Sequence, residues 1–109
     1  MDQDCLTEIG VDHPVAEQAD RLARLAQASG IDGIVCSPCE AAHMRELLGP
    51  DALVVTPGVR PAGADLGDQS RVATPKAAFD AGASHIVIGR PITQAADPVA
   101  AFEAIVAEL

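Results

Sequence analysis

Three helix-to-strand units of the same design recur along the chain, and they constrain its fold more than any other feature. Helical patterns end at Gly30, Gly49 and Gly82, and glycine is the residue that most often follows the last turn of a helix. An apolar pair begins four residues beyond each glycine: Ile34-Val35, Leu53-Val54 and Ile86-Val87. Short turns from helices into apolar strands are typical of parallel βα units.

The same patterns set approximate bounds for the elements. Helices are expected at about 14–29, from Pro38 to Gly49, from Thr74-Pro75 to Gly82 and from Asp97-Pro98 onward, and strands at about 33–36, 53–55 and 85–88. Ser37, Pro38 and Glu40 have the spacing of a capping box at the start of the second helix. In the last helix one apolar face is predicted: Val99, Phe102, Ile105 and Val106.

Three such units predict an α/β fold, either part of a (β/α)₈ TIM barrel or part of a doubly wound sheet. Hydrophobic residues make up 49% of the chain and aromatic residues 2%, and an aliphatic core suits buried parallel strands. Three strands cannot close a barrel, and an open sheet exposes two edges. We therefore expect residues 1–109 to form a single partial domain of a larger fold.

Charge and composition exclude several classes of partner. The net charge of −9 disfavours binding to nucleic acid or to an anionic membrane, and scarce aromatic residues leave no stacking surface for bases. No run of 18 apolar residues is present, so no membrane span is expected. The odd number of cysteines, 3, indicates reduced thiols and a cytoplasmic location.

Polar residues suited to an anion follow the second and third predicted strands. Arg60 and Gln69 lie in a long Gly- and Pro-rich loop at about 57–73, and Gly89-Arg90 follow the third strand. Guanidinium forks match phosphate oxygens, and barrels often hold a phosphate at the ends of their last two strands. We therefore predict that Arg60, Gln69, the Gly89 amide and Arg90 converge on one phosphate. The alternative, that both arginines are surface residues paired with acids, stays open.

These segments resemble those of the orotidine 5′-phosphate decarboxylase family. The sequence VTPGVRP at 55–61, GDQSR at 67–71 and Thr74-Pro75 resemble the family's phosphate loop. The sequence VIGRPIT at 87–93, followed by Asp97-Pro98, is similar to its final strand and helix, and DGIVCS at 32–37 resembles its sixth strand. The resemblance extends from about Leu6 to Leu109.

The resemblance implies a (β/α)₈ barrel of which this chain holds strands six to eight, and a homodimer with active sites near the interface. It implies conversion of orotidylate to uridylate and CO₂ without a metal or an organic cofactor. Arg60, Gln69, Gly89 and Arg90 would contact the 5′-phosphate of the nucleotide, and Pro57 would border the pyrimidine pocket.

The chain departs from the family pattern at the catalytic residues. The family's Asp-x-Lys-x-x-Asp motif lies on an earlier strand, with a further lysine upstream, and neither has a counterpart here. The single lysine, Lys76, follows Thr74-Pro75 at a helix start and is expected to be solvated. We therefore assign no catalytic residue and expect the isolated chain to have no decarboxylase activity.

A redox function is the sharpest alternative. Cys36-Ser37-Pro38-Cys39 lies between a strand and a helix, as in thioredoxin-like dithiol proteins, and the helix start is expected to lower the pKa of the first thiol. If the two thiols are instead metal ligands, they are too few for a closed zinc site. The three histidines are scattered, so no metal site is predicted: His13, His43 and His85.

Two further alternatives keep the phosphate site but change the function. One is a non-catalytic half-barrel that binds phosphate or pairs with another chain through its exposed sheet edges. The other is a different phosphate-handling barrel, such as an enzyme of the tryptophan or histidine pathway, which the loop from Gly58 to Gln69 fits less well.

Overall fold

The computed structural model describes residues 2–61 and 73–109. In chain order the elements are α1 (Gln3–Glu8), α2 (Val15–Ala28), β1 (Gly33–Val35), a 3₁₀ turn (Pro38–Glu40), α3 (Ala41–Leu48), β2 (Leu53–Thr56), α4 (Pro75–Ala81), β3 (His85–Ile86), α5 (Arg90–Thr93) and α6 (Pro98–Ala107). None of the helices in the described ranges is long and apolar enough to cross a membrane.

The three strands form one parallel sheet in the order β1-β2-β3. Ile34 lies opposite Val54, and Val55 lies opposite His85. Parallel pairing of strands that follow one another in sequence requires a crossover between them, and α3 and α4 provide it here. The predicted parallel βα design is therefore confirmed, and the described residues are consistent with part of a barrel.

The main core lies between α2, α3 and the first two strands. Its buried members are small or aliphatic: Ala23, Cys36, Ala41, Met44, Leu48 and Val54. A second cluster of Val59, Ala78 and Ala83 packs under α4 and β3. The alanines let the helices approach the sheet closely, so a chain with almost no aromatic residues still packs its interior.

Helix starts follow the capping residues read from the sequence. Thr74 Oγ1 accepts a hydrogen bond from the Ala77 amide at 3.2 Å, and Asp97 Oδ1 accepts one from the Ala100 amide at 3.1 Å. Such caps satisfy amides that the first helical turn leaves without partners. α4 ends at Gly82, whose φ of +118° lies in the left-handed region that glycine adopts without strain.

The structure differs from the sequence prediction at four elements. α1 and α5 were not predicted, because helices of 6 and 4 residues are too short to show a helical period. β3 has two residues instead of the expected 85–88. The capping-box segment opens as a 3₁₀ turn before α3 begins.

The predicted apolar face of α6 is exposed. Ile105 is buried, but Val99, Phe102 and Val106 are each at least half exposed. Helical spacing predicts that residues share a face, but it does not supply an element for that face to contact.

Candidate functional site

The carboxyl ends of β2 and β3 lie at the same end of the parallel sheet. Residues predicted to form the site follow each of these two strands. The pairing of Thr56 with Ile86 brings the carboxyl ends of the two strands together. The Val87 amide donates to the Thr56 carbonyl oxygen at 2.9 Å, so this contact extends beyond β3. Residues that follow the two strands are therefore neighbours in space.

The loop after β2 is held close to the sheet. Val59 is buried and forms a parallel bridge with Ala73. The Arg60 amide donates to the Ala73 carbonyl oxygen at 2.9 Å. Gly58 has a φ of +73°, a left-handed conformation that turns the chain sharply after Pro57. The contacts of Val59 and Arg60 with Ala73 thus hold the backbone at Arg60 in place after the turn at Gly58.

A cavity of about 230 Å³ opens between the two strand exits. Its lining comes from two segments: Pro57, Gly58, Val59 and Arg60 after β2, and Val87, Gly89, Arg90 and Pro91 around and after β3. The structure therefore brings Pro57, Arg60, Gly89 and Arg90 to one cavity, and the prediction that they contact a nucleotide stays a prediction. Gln69 lies outside the described residues. The contributions of Gly58, Val59, Val87 and Pro91 were missed, although their positions beside the predicted residues were a usable signal.

The lining is suited to an anion. The described lining residues include two guanidinium groups and no carboxylate, within a chain whose net charge is −9. A side chain added at Gly89 would meet nothing within 4 Å, so a ligand can approach the backbone there. Arginine side chains and accessible backbone amides are donors that suit a phosphate group.

A second cavity, of about 470 Å³, adjoins the first. Pro57 and Gly58 line both cavities. The rest of the second lining comes from the last residue of β1 and the segment after it: Val35, Cys36, Ser37, Pro38 and Glu40. The ends of all three strands thus border one continuous depression, with its two guanidinium groups at the β2–β3 side.

Comparison with known proteins identifies the family. The family model described as "Orotidine 5′-phosphate decarboxylase / HUMPS family" matches residues 1–105. The chain belongs to this family. It is 62% identical to an orotidine 5′-phosphate decarboxylase of Halorhodospira halophila over 104 residues, which are 95% of this chain and 44% of that protein.

Further relatives agree with this assignment to the decarboxylase family. A decarboxylase of Trichlorobacter lovleyi is 54% identical over 98% of this chain and 44% of its own length. A crystal structure of the enzyme from Lactobacillus acidophilus superposes with a TM-score of 0.83 at 46% identity, covering 99% of this chain and 43% of that one. The chain therefore spans less than half the length of the decarboxylases it matches.

The segment after β1 does not have the chemistry of a redox site. Burial, then the Glu40 carboxylate and then Cys39, raise the pKa of the Cys36 thiol to about 11. The expectation that a helix start lowers this pKa is wrong, because the thiol is buried and the residues after Ser37 form a 3₁₀ turn beside a carboxylate. All 3 cysteines are free, and the comparisons give the thioredoxin-like alternative no support.

Glu40 orders this segment instead. Its Oε2 accepts a hydrogen bond from the Ser37 amide at 3.2 Å and one from Ser37 Oγ at 2.9 Å. The predicted return of the glutamate side chain to the start of the turn is therefore confirmed. These bonds fix the β1 side of the second cavity.

The remaining ionisable candidates lie at the surface. Lys76 has a side-chain exposure of 67% and pairs with Asp80 at 3.5 Å, so the prediction that it is solvated is confirmed. His43 Nε2 lies 2.8 and 2.9 Å from the two carboxylate oxygens of Asp20. The described part of the chain contains no group of three or more His, Cys, Asp or Glu residues placed to hold a metal ion.

Proposed function

We propose that this chain is the phosphate-binding part of an orotidine 5′-phosphate decarboxylase, which converts orotidylate to uridylate and CO₂. The observation that carries the proposal is the single cavity lined by Pro57, Arg60, Gly89 and Arg90. Two guanidinium groups at the exits of adjacent parallel strands suit a nucleotide 5′-phosphate. Gln69 is proposed as a further amide donor to that phosphate.

We assign β1, β2 and β3 to strands six, seven and eight of a (β/α)₈ barrel. Support comes from the order of the strands and from the barrel rule that a phosphate site lies after strands seven and eight. In this arrangement residues 1–109 form a single partial domain. We propose that the pyrimidine lies in the adjoining cavity beyond Pro57 and that Arg60 and Arg90 hold the phosphate; the residues shared by the two cavities support this.

The reaction breaks the bond between pyrimidine C6 and its carboxylate. CO₂ leaves, the electron pair stays at C6, and a proton is then delivered to that carbon. A lysine ammonium between carboxylates supplies both the charge stabilisation and the proton. Lys76 is the single lysine of the chain and is paired at the surface, so we propose that these 109 residues alone do not decarboxylate orotidylate.

The contribution of this chain is binding energy remote from C6. Each charge-assisted hydrogen bond to the phosphate is worth about 1.5–3 kcal/mol, and such energy accelerates the reaction when it is realised in the transition state. We further propose a cytoplasmic homodimeric enzyme that uses no metal or organic cofactor, with orotidylate and uridylate as its ligands.

A chimera tests this function. Residues 1–109 would replace the matched segment of the Halorhodospira halophila decarboxylase, and kcat/KM would be measured with orotidylate. The chimera is expected to be active, and Arg60→Ala with Arg90→Ala is expected to lower kcat/KM by about a hundredfold or more, since two charge-assisted interactions are lost. Arg24→Ala, an exposed change, is the control. A folded chimera without activity, or an unaffected double variant, would refute the proposal.

A further inference from the structure

The hydroxyl group of Thr56 is buried without a hydrogen-bond partner. Thr56 is the last residue of β2, its exposure is 0%, and its Oγ1 forms no hydrogen bond within the residues that the structure describes. A buried hydroxyl without a partner costs free energy, and a valine of the same outline would fill the position without that cost. Stability alone therefore does not explain why residue 56 carries a hydroxyl.

This hydroxyl lies on the helical side of the sheet. Val54 and Thr56 are the two buried residues of β2, and alternate residues of a strand share a face. Val54 belongs to the main core under α3, and Ile86, which lies opposite Thr56, packs against the second core cluster with Val59 and Ala78. The burial of Thr56 thus comes from elements of this chain, and Thr56 is not one of the residues that line the two cavities.

Thr56 immediately precedes the segment that lines the cavity after β2. Hydrogen bonds hold both ends of this segment: the Val87 amide donates to the Thr56 carbonyl oxygen, and the Arg60 amide donates to the Ala73 carbonyl oxygen, both at 2.9 Å. Between these points lies Gly58, whose φ is +73°. Because glycine has no Cβ, the backbone at Gly58 can change its direction at little cost. A small change there would alter how the segment presents Arg60 to a ligand.

A hydroxyl at position 56 has one natural partner in this segment. Threonine hydroxyls accept a hydrogen bond from the main-chain amide two residues further on, in a short turn called an ST-turn. Here that amide belongs to Gly58, and the intervening Pro57 has no amide hydrogen to compete.

We propose that Thr56 is a positioning residue of the phosphate site. When a phosphate binds at Arg60, the turn at Gly58 tightens and the Gly58 amide donates to Thr56 Oγ1. This bond holds the segment in the conformation that directs Arg60 to the phosphate, although Thr56 itself does not touch the ligand. The inference rests on the proposed function, because it requires a phosphate at Arg60.

The test compares Thr56→Val with Thr56→Ser in the 109-residue chain. Thr56→Val is expected to weaken uridylate binding by about tenfold, since the bond to Gly58 is lost, and to leave uridine binding unchanged. Thr56→Ser keeps the hydroxyl and is expected to bind uridylate within about twofold of the parent chain. Urea unfolding should give the opposite order: the valine variant at least as stable as the parent, and the serine variant less stable because it loses a buried methyl group.

Thr7→Val makes the same change at an exposed position of α1 and is expected to alter neither affinity. Hydrogen exchange gives a second readout: saturating uridylate is expected to slow exchange of the Gly58 amide in the parent and in Thr56→Ser, and to slow it less in Thr56→Val. Unchanged uridylate affinity in Thr56→Val, equal losses in both Thr56 variants, or a valine variant less stable than the parent would overturn the proposal.

The same titrations separate this inference from the proposed function. If Arg60→Ala loses uridylate affinity while Thr56→Val keeps it, the phosphate site stands and the role of Thr56 is wrong. If the parent chain binds uridylate no more tightly than uridine, both the phosphate site and the role of Thr56 are wrong.

Discussion

Arg45 on α3 donates a hydrogen bond from Nε to the main-chain carbonyl oxygen of Gly82, the residue that ends α4, at 3.0 Å. The same guanidinium group donates from Nη1 to the carbonyl oxygens of Gly49 at 2.9 Å and Ala52 at 2.6 Å. One side chain thus joins α3, the turn into β2 and the end of α4. Because α4 leads into β3, this contact helps to align the two strands that border the cavity lined by Arg60 and Arg90.

Replacing this residue is expected to destabilise the fold. Arg45→Ala removes three hydrogen bonds from a charged donor and leaves half-buried carbonyl oxygens without it, so we expect a loss of about 2–3 kcal/mol. Urea unfolding measures this loss. Arg21→Ala, which removes an exposed pair with Glu17, is the control and is expected to cost about 0.5 kcal/mol or less. Equal losses for the two variants would contradict the role of Arg45.

Gly33 is expected to tolerate no side chain. A Cβ atom added there would overlap the carbonyl oxygen and Cβ of Leu53 on the neighbouring strand. Gly33→Ala should therefore push β1 away from β2 and destabilise the chain by about 1–3 kcal/mol. Thermal or urea unfolding checks this, with the exposed neighbour Asp32→Ala as the control. A Gly33→Ala variant as stable as the parent would show that the β1–β2 spacing is looser than described.

Much of this fold could be predicted from local chemistry. Thr74 and Asp97 begin helices because their side chains cap free amides, and Gly49 and Gly82 end helices because glycine adopts positive φ. The shortness of β3 could not be predicted, since its ladder depends on the geometry of β2. The exposure of the apolar face of α6 could not be predicted either, because the sequence of one helix does not show which other element packs against it.

The site shows the same division between local and tertiary causes. Arg60 and Arg90 were predicted to meet because parallel strands end on one side of a sheet, and the β2–β3 pairing places them around one cavity. The pKa of Cys36 was predicted with the wrong sign, because burial of the thiol is a tertiary property that no motif records. The role of Gln69 stays a prediction.

The buried Cys36 thiol makes stability depend on pH. In the unfolded chain it ionises near its ordinary pKa of 9.0, and in the folded chain burial raises that pKa to about 11. The unfolded state therefore releases its proton first, and stability is expected to fall as pH rises from 9.0 towards 11. Unfolding free energies measured across this window should fall less steeply for Cys36→Ala. A parent chain with no steeper fall than this variant would contradict the buried thiol.

Thiol alkylation gives an independent check on the same residue. At pH 8 iodoacetamide should modify the exposed Cys5 and Cys39 while Cys36 reacts slowly, since the thiolate is the reactive form. Pretreatment with a reductant should not change the labelling of any of the three cysteines. A reductant-dependent increase in labelling of Cys36 and Cys39 would indicate a reversible disulfide and would revive the redox alternative.

The most direct test of the phosphate site is a calorimetric titration of the 109-residue chain with uridylate and with uridine. Uridylate is expected to bind at least about a hundredfold more tightly, and Arg60→Ala and Arg90→Ala should each lower its affinity by about tenfold or more, since each removes a charge-assisted contact of at least ~1.5 kcal/mol. Neither of these two substitutions should change the affinity for uridine, and Arg24→Ala should change the affinity for neither ligand. Equal affinities for the two ligands, or uridylate binding that is indifferent to both arginines, would contradict the account.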